Sequence, residues 1–172
     1  SSTSRGLGDV YKRQGMPNLV EELGQVIAAA GLSPSQLEVE VAETSLADNI
    51  DAAQRQLQKL RELGVRVALD DFGAGDCSLR LLRDLPIDTL KLDRHLVALL
   101  PESEANVALV RCVIELCQQY NISVIAEGVE TVQQADWLRQ HGCQFVQGFL
   151  VARPITADEA GRFPGFFDWR SL

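Results

Sequence analysis

"VALDDFGAGDCSL", residues 67–79, begins as an apolar run and then stops on two adjacent acids, Asp70 and Asp71. A short apolar run bounded by turn residues is typical of a buried strand. The glycines that follow mark a loop. The stretch therefore predicts a buried strand that carries two carboxylates to its carboxyl end.

The same alternation of strands and helices extends along the rest of the chain. Strands are predicted over residues 37–43, 65–71, 87–93, 122–130 and 143–150. Helical spacing of apolar residues occupies residues 19–30, 50–63, 79–85 and 105–120, and Thr131 with Gln134 forms a capping box that opens a helix ending at Gly142. Five strands that alternate with helices predict an α/β fold with a parallel sheet of βα units.

Composition restricts the class of protein. The chain has 172 residues, of which 46% are hydrophobic and 23% charged, as expected of one soluble globular domain. Its net charge of -8 disfavours binding to DNA or to an anionic membrane surface, because Lys and Arg make most such contacts. Without a membrane-length apolar run, we expect no direct membrane contact from this segment, although a longer parent protein could carry an anchor.

The four cysteines are Cys77, Cys112, Cys117 and Cys143, and they form no Cys-x-x-Cys pair. This pattern does not resemble a secreted disulfide framework. We expect reduced cysteines and a cytoplasmic protein.

The first fourteen residues read unlike the remainder. "DVYKRQ", residues 9–14, resembles the translation of a transposase adaptor used in sequencing libraries. We therefore expect residues 1–14 to be non-native and residues 15–172 to be the natural sequence, cut at its N-terminal side. The alternative is a disordered native tail.

Polar side chains are concentrated at the carboxyl ends of the predicted strands. They are Glu40, Glu43, Asp70, Asp71, Lys91, Asp93, Glu127, Glu130 and Gln147. Any one acid could be a solvated strand end or a helix cap, but repetition over successive strands favours a shared site. In a TIM-type barrel the active site lies at this end of the strands. A doubly wound sheet also places ligands there, but "FGAGDCS" is a poor match to a dinucleotide-binding fingerprint.

The donor types favour hard divalent cations. Mg²⁺ and Mn²⁺ prefer carboxylate and water oxygens, and a zinc site is not expected with only His95 and His141 in the chain. Adjacent aspartates at a bending strand end can serve two ions, which would promote an in-line phosphoryl displacement. Lys91 would orient the attacking water or neutralise charge; alternatively, it is a structural lysine paired with Asp93 or Asp70.

Five segments together resemble one family. "EVAETSL", "LDDFGAGDCSL", "LKLDRHLV", "VIAEGVET" and "GCQFVQGFLVARP" have the order and spacing of EAL-domain phosphodiesterases, from about residue 17 to 154. The resemblance implies an incomplete TIM-like (β/α) barrel with about five C-terminal βα units of eight. It implies hydrolysis of cyclic di-GMP to linear pGpG with two Mg²⁺ or Mn²⁺ ions. It also implies a homodimer formed through the barrel.

The resemblance also assigns roles to individual residues. It implies metal ligands at Glu40, Asp70 and Asp71, with Asp70 as the bridge. The remaining roles are a ligand or general base at Glu127, contact with the attacking water at Lys91, pocket lining at Asp93 and Gln147, a loop anchor at Glu43 and support for the metal ligands at Glu130.

Two departures from the family pattern affect the expected activity. The Glu-Ala-Leu strand and a metal-binding asparagine would lie upstream of Pro17, so we expect the chain alone to be inactive and poorly stable, with unpaired edge strands. Asp76 and Cys77 stand where the family most often has an aromatic residue and a serine. Three hypotheses remain: a phosphodiesterase, a degenerate domain that acts as a cyclic di-GMP receptor, and an interaction module.

Overall fold

A computed structural model describes residues 19–46, 49–75, 79–153 and 159. Its helices and strands follow the predicted alternation. The strands are β1 (Glu38–Ala42), β2 (Arg66–Phe72), β3 (Thr89–Leu92), β4 (Ser123–Glu127) and β5 (Phe145–Gln147). The α-helices are α1 (Leu19–Ala30), α2 (Ile50–Leu63), α3 (Leu79–Asp84), α4 (Arg94–Ala98), α5 (Glu104–Gln119) and α6 (Val132–Gln140), with short 3₁₀ turns at Pro34–Gln36 and Glu43–Ser45. The predictions for residues 1–14, Asp76 and Cys77 lie outside the described residues.

The five strands form one parallel sheet in the order β1-β2-β3-β4-β5. Each strand is joined to the next by helical segments, as the predicted βα units require. This sequential order is that of a barrel wall, whereas a doubly wound sheet reverses direction at a switch point. The sheet is part of an incomplete TIM-like barrel, which confirms the predicted fold class.

One face of the sheet forms the hydrophobic core with the helices. Strand side chains such as Val67, Leu69 and Leu90 are fully buried against apolar residues of α2, α5 and α6. The other face is polar near the amino ends of the strands, where Thr89 donates a hydrogen bond of 2.8 Å to Glu38. The helices therefore cover only the apolar face of the sheet, and the polar side chains at the carboxyl ends of the strands do not belong to this core.

β4 and β5 end three residues before their predicted carboxyl ends at residues 130 and 150. β4 ends at Glu127 because Gly128 adopts a φ of 69°, which no extended strand accommodates. β5 comprises residues 145–147, because at Gly148 the chain closely approaches the backbone of Val129. The capping box of α6 is confirmed: Gln134 N–H donates to Thr131 Oγ1 and Thr131 N–H donates to Gln134 Oε1.

Two further observations concern the described helices and cysteines. Among the described residues, no helix is both long and apolar enough to span a membrane. Cys112, Cys117 and Cys143 are all free thiols.

Candidate metal site at the carboxyl ends of the strands

The end of β2 is irregular, and this irregularity brings its two aspartates to one site. The register with β3 shifts between Leu69 and Phe72, and Asp71 has a left-handed φ of 54°. Successive side chains of a regular strand point to opposite faces. A bulge bends the strand and re-aims its side chains, and aspartate tolerates the left-handed region better than most residues. Both carboxylates can therefore face the same point.

A third carboxylate joins the pair from β4. Oxygens of Asp70, Asp71 and Glu127 all lie within 4.8 Å of one another. The parallel arrangement explains this convergence, because the carboxyl ends of β2 and β4 lie at the same edge of the sheet, on either side of β3. The group has the donor chemistry of a site for a hard divalent cation.

Lys91 lies at the centre of the acidic group. Its Nζ is 2.8 Å from Glu127 Oε1 and 3.1 Å from both Glu40 Oε1 and Asp70 Oδ1. Burial alone would lower the pKa of this ammonium, but the hydrogen bond and charge of Glu127 outweigh burial and raise the pKa above its usual value. Lys91 is therefore a permanent cation that offsets part of the carboxylate charge.

Two of the carboxyl groups bind protons more tightly than usual. Burial raises the pKa of Glu127, and the charges of Asp70 and Asp71 oppose the lowering effect of Lys91. The pKa of Asp71 is raised by partial burial and by the neighbouring charges of Asp70 and Asp93. Burial and the crowding of like charges therefore both disfavour the ionised forms of these two carboxyl groups, and an added cation would oppose that effect.

A buried oxygen of Asp70 supports the fit of such a cation. Asp70 Oδ1 is buried and has no hydrogen bond among the described residues; its ion-pair partner is the Lys91 ammonium, 3.1 Å away. A buried carboxylate oxygen normally has a hydrogen bond or a metal. The residues present therefore fit a hard divalent cation, and the oxygen that lacks a hydrogen bond belongs to the predicted bridging residue.

Glu40 lies within β1 and Glu43 directly follows it, and the two side chains have different surroundings. Glu40 is exposed and reaches the group through Lys91, but it is not among the three carboxylates that lie within 4.8 Å of one another. Glu43 is buried, and its Oε2 accepts a hydrogen bond of 2.9 Å from the backbone N–H of Gly73. That bond fastens the loop after β2, as the predicted anchor role requires.

Asp93 has a structural function that the sequence did not predict. Its Oδ1 accepts a hydrogen bond of 2.8 Å from the backbone N–H of His95. The same oxygen lies 2.6 Å from Nδ1 of the His95 ring. Asp93 is therefore the N-cap of α4. The charge of Asp93 contributes to the raised pKa of Asp71. The described ion pairs of Lys91, however, are with Glu40, Asp70 and Glu127 and not with Asp93. An aspartate immediately before a short helical segment was the available signal.

Gln147 and Glu130 lie at the edge of the group. Gln147 is paired in register with Glu127, and its side chain is exposed. Glu130 is also exposed, and the hydrogen bond described for it runs from its backbone N–H to Gln134 Oε1. Their proposed roles remain predictions.

The fold and this edge define a class: a TIM-like α/β barrel with a lysine-centred group of carboxylates, which could hold a metal ion, at the carboxyl ends of its strands. The EAL domain family model matches residues 11–154, and the chain belongs to the EAL domain family. This match spans all five described strands.

Similarity to curated proteins supports the same assignment. The chain is 43% identical over 141 residues to the cyclic di-GMP phosphodiesterase NbdA of Pseudomonas aeruginosa, covering 82% of this chain and 18% of NbdA. It spans about a fifth of the length of the curated relatives it matches.

Solved structures agree with the fold. The EAL domain of Mycobacterium smegmatis DcpA has a TM-score of 0.82 and 36% identity, over 88% of this chain and 68% of that one. Klebsiella pneumoniae BlrP1, solved as a manganese and cyclic di-GMP complex, has a TM-score of 0.78 and 38% identity, over 86% of this chain and 37% of that one.

Proposed function

We propose that this chain forms the C-terminal part of a metal-dependent phosphodiesterase that hydrolyses cyclic di-GMP to linear pGpG. The observation that carries the proposal is the convergence of Asp70, Asp71 and Glu127 around Lys91. The similarity to NbdA and to the BlrP1 complex supports the choice of substrate.

The site would hold Mg²⁺ or Mn²⁺ through Asp70, Asp71, Glu127 and Glu40, with Asp70 as the bridging ligand. When bound, such ions polarise a phosphodiester and lower the pKa of a bound water. They also reverse the sign of the local potential, so that a protein of net charge -8 can hold an anionic substrate. The chain's own residues then orient the substrate and handle the proton.

Glu127 is suited to accept a proton from the attacking water. Its half-buried carboxylate lies beside the aspartates that would hold the cations, within reach of a water bound there. Lys91, 2.8 Å from Glu127 Oε1, keeps that carboxylate in place and remains charged throughout. The ammonium would also stabilise negative charge that develops on the phosphate oxygens. Asp93 and Gln147 would line the substrate pocket.

The deciding experiment uses the chain extended upstream to a complete domain. Purified protein is incubated with cyclic di-GMP and Mg²⁺ or Mn²⁺, and linear pGpG is separated by chromatography. We expect Asp71→Asn to reduce kcat/KM by at least about a hundredfold, because it removes a ligand charge. Asp136→Asn, an acid on α6 paired with Arg139, is the matched control and should retain activity.

Binding measurements distinguish the alternative functions. Tight binding of cyclic di-GMP without formation of pGpG would overturn the hydrolase proposal in favour of a receptor. Absence of both binding and hydrolysis would favour an interaction module. Full activity of Asp71→Asn would refute the proposed metal site.

We also propose that the complete domain is a cytoplasmic homodimer. The three free described cysteines support a reducing compartment. Sedimentation velocity of the complete domain tests the dimer, and a single monomeric species at micromolar concentration would contradict it.

A further inference from the structure

The loop after β2 is closely packed against helix α4. Gly73 has a φ of 96°, and a Cβ added to it would lie 2.8 Å from Leu96 Cγ. Leu96 is buried, so its side chain cannot rotate freely away from the loop. The position of Leu96 therefore limits where the backbone that follows Asp70 and Asp71 can lie.

The loop after β4 is packed against the same helix, one turn or less away. Gly128 has a φ of 69°, and a Cβ added there would lie 2.6 Å from Arg94 Cβ and 3.4 Å from Arg94 Cα. These are atoms of, or next to, the helix backbone, which a side-chain rotation cannot move. The backbone that follows Glu127 is thus set against α4 itself.

Helix α4 is hydrogen-bonded to its surroundings just before its first residue and at its middle residue. Before it, the Asp93 N–H donates a hydrogen bond of 3.0 Å to the carbonyl of Phe72, next to Gly73. Within it, the carbonyl of Leu96 accepts a hydrogen bond of 3.2 Å from Asn106 Nδ2 on α5. A five-residue helix held in this way moves as one body.

The contacts extend to neighbouring loops. Gly73 N–H is bound by Glu43 beyond β1. The Val129 N–H donates to the carbonyl of Gln147, and the Leu150 N–H donates to the carbonyl of Val129, so the loop after β5 is tied to the loop after β4. Interiors packed without free volume transmit small displacements.

We propose that α4 links the loops after β2 and β4, and that Leu96 and Arg94 are positioning residues which set the relative placement of Asp70, Asp71 and Glu127. The consequence for catalysis rests on the function proposed above, whereas the physical link does not. Displacement of either loop should therefore be detected at the other.

Hydrogen exchange of the chain, measured without metal or nucleotide, tests the link directly. Gly128→Ala adds a methyl group against Arg94 and should accelerate exchange over residues 72–75 about tenfold, while β3 stays protected. The matched control is Gly142→Ala. It also replaces a glycine of positive φ, 81°, but the atom nearest its Cβ is the flexible end of Gln118. It should leave residues 72–75 unchanged.

The role of Leu96 is tested by combining substitutions. Leu96→Ala opens space beside Gly73. In a Leu96→Ala background, adding Gly128→Ala should therefore change the hydrogen-exchange rates of residues 72–75 no more than adding Gly142→Ala does. Should Gly128→Ala fail to fold, Leu96→Ala alone should accelerate exchange over residues 127–130, compared with Leu57→Ala on α2. Unchanged exchange at residues 72–75 in a folded Gly128→Ala protein, or an undiminished effect in the double variant, would overturn the link.

The functional consequence is measured separately in the complete domain. Leu96→Ala should lower kcat about tenfold and weaken Mn²⁺ binding, with a smaller change in KM. A domain without hydrolase activity would refute the proposed function but would leave the exchange result standing. Coupled exchange without any effect on Mn²⁺ binding would refute the positioning role.

Discussion

Replacing Lys91 by methionine removes the cation from the centre of the acidic group while keeping a side chain of similar length. The ammonium contacts three carboxylates, and only 11% of its side chain is exposed. Removing one partner of a buried ion pair costs about 3–5 kcal/mol. The Asp70 and Glu127 side chains retain 23% and 20% exposure, so we expect the lower limit, about 3 kcal/mol, near pH 8.

The loss of stability caused by Lys91→Met should be larger at high pH than at low pH. The pKa of Glu127 is already raised by burial above its ordinary value of 4.5, and loss of Lys91 raises it further. A folded protein that binds a proton more tightly than the unfolded chain is favoured at low pH. It loses that stability as the pH rises from the unfolded pKa through the folded pKa. Lys91→Met should therefore be less destabilising near pH 5 than near pH 8.

Urea unfolding followed by far-ultraviolet circular dichroism provides the measurement. Lys59→Met, which changes an exposed lysine of α2, is the matched control and should alter the free energy of unfolding by less than about 0.5 kcal/mol. Equal destabilisation by Lys91→Met at both pH values would refute the electrostatic reasoning. A variant as stable as the Lys59→Met control would refute the ion-pair geometry itself.

Three further predictions concern the fold. Leu90→Ala removes a fully buried side chain from the central strand and should lower the free energy of unfolding by about 3 kcal/mol in urea. Thr131→Ala removes half of the capping box of α6 and should cost about 1 kcal/mol in the same assay, whereas Thr131→Ser should cost much less. Burial raises the pKa of the Cys117 thiol to about 12, so iodoacetamide near pH 8 should label exposed Cys112 and spare Cys117, as mass spectrometry would show.

The fold was predictable because its signals are local and repeated. The five strands lie where apolar runs predicted them, and the helices between them follow the 3.6-residue spacing. Helix α4 was not predicted as an element, because five residues are too few to show periodicity. The ends of β4 and β5 were placed too late, because the close backbone approach of Gly148 to Val129 depends on residues brought together only by folding.

The site was predictable in composition but not in its contacts. Strand-end polarity indicated which side chains share one edge of the sheet, and Asp70, Asp71, Lys91 and Glu127 do lie together there. The capping contact of Asp93 was missed although an aspartate before a helical segment is a known N-cap signal, because α4 itself was not predicted. The bulge in β2 was equally hidden, since backbone register is set by the neighbouring strand.

At position 71 the backbone and the side chain place separate requirements on the residue: the backbone needs a left-handed φ, and the proposed metal site needs a carboxylate. Asparagine and glycine satisfy that backbone geometry, whereas valine and isoleucine do not. Under the proposed function, substitutions of Asp71 in the complete domain should therefore fall into two groups: those that abolish catalysis but leave the domain folded, and those that also prevent folding. In a library of variants scored separately for protein abundance and for activity, few substitutions of Asp71 should preserve abundance. Fewer still should preserve activity.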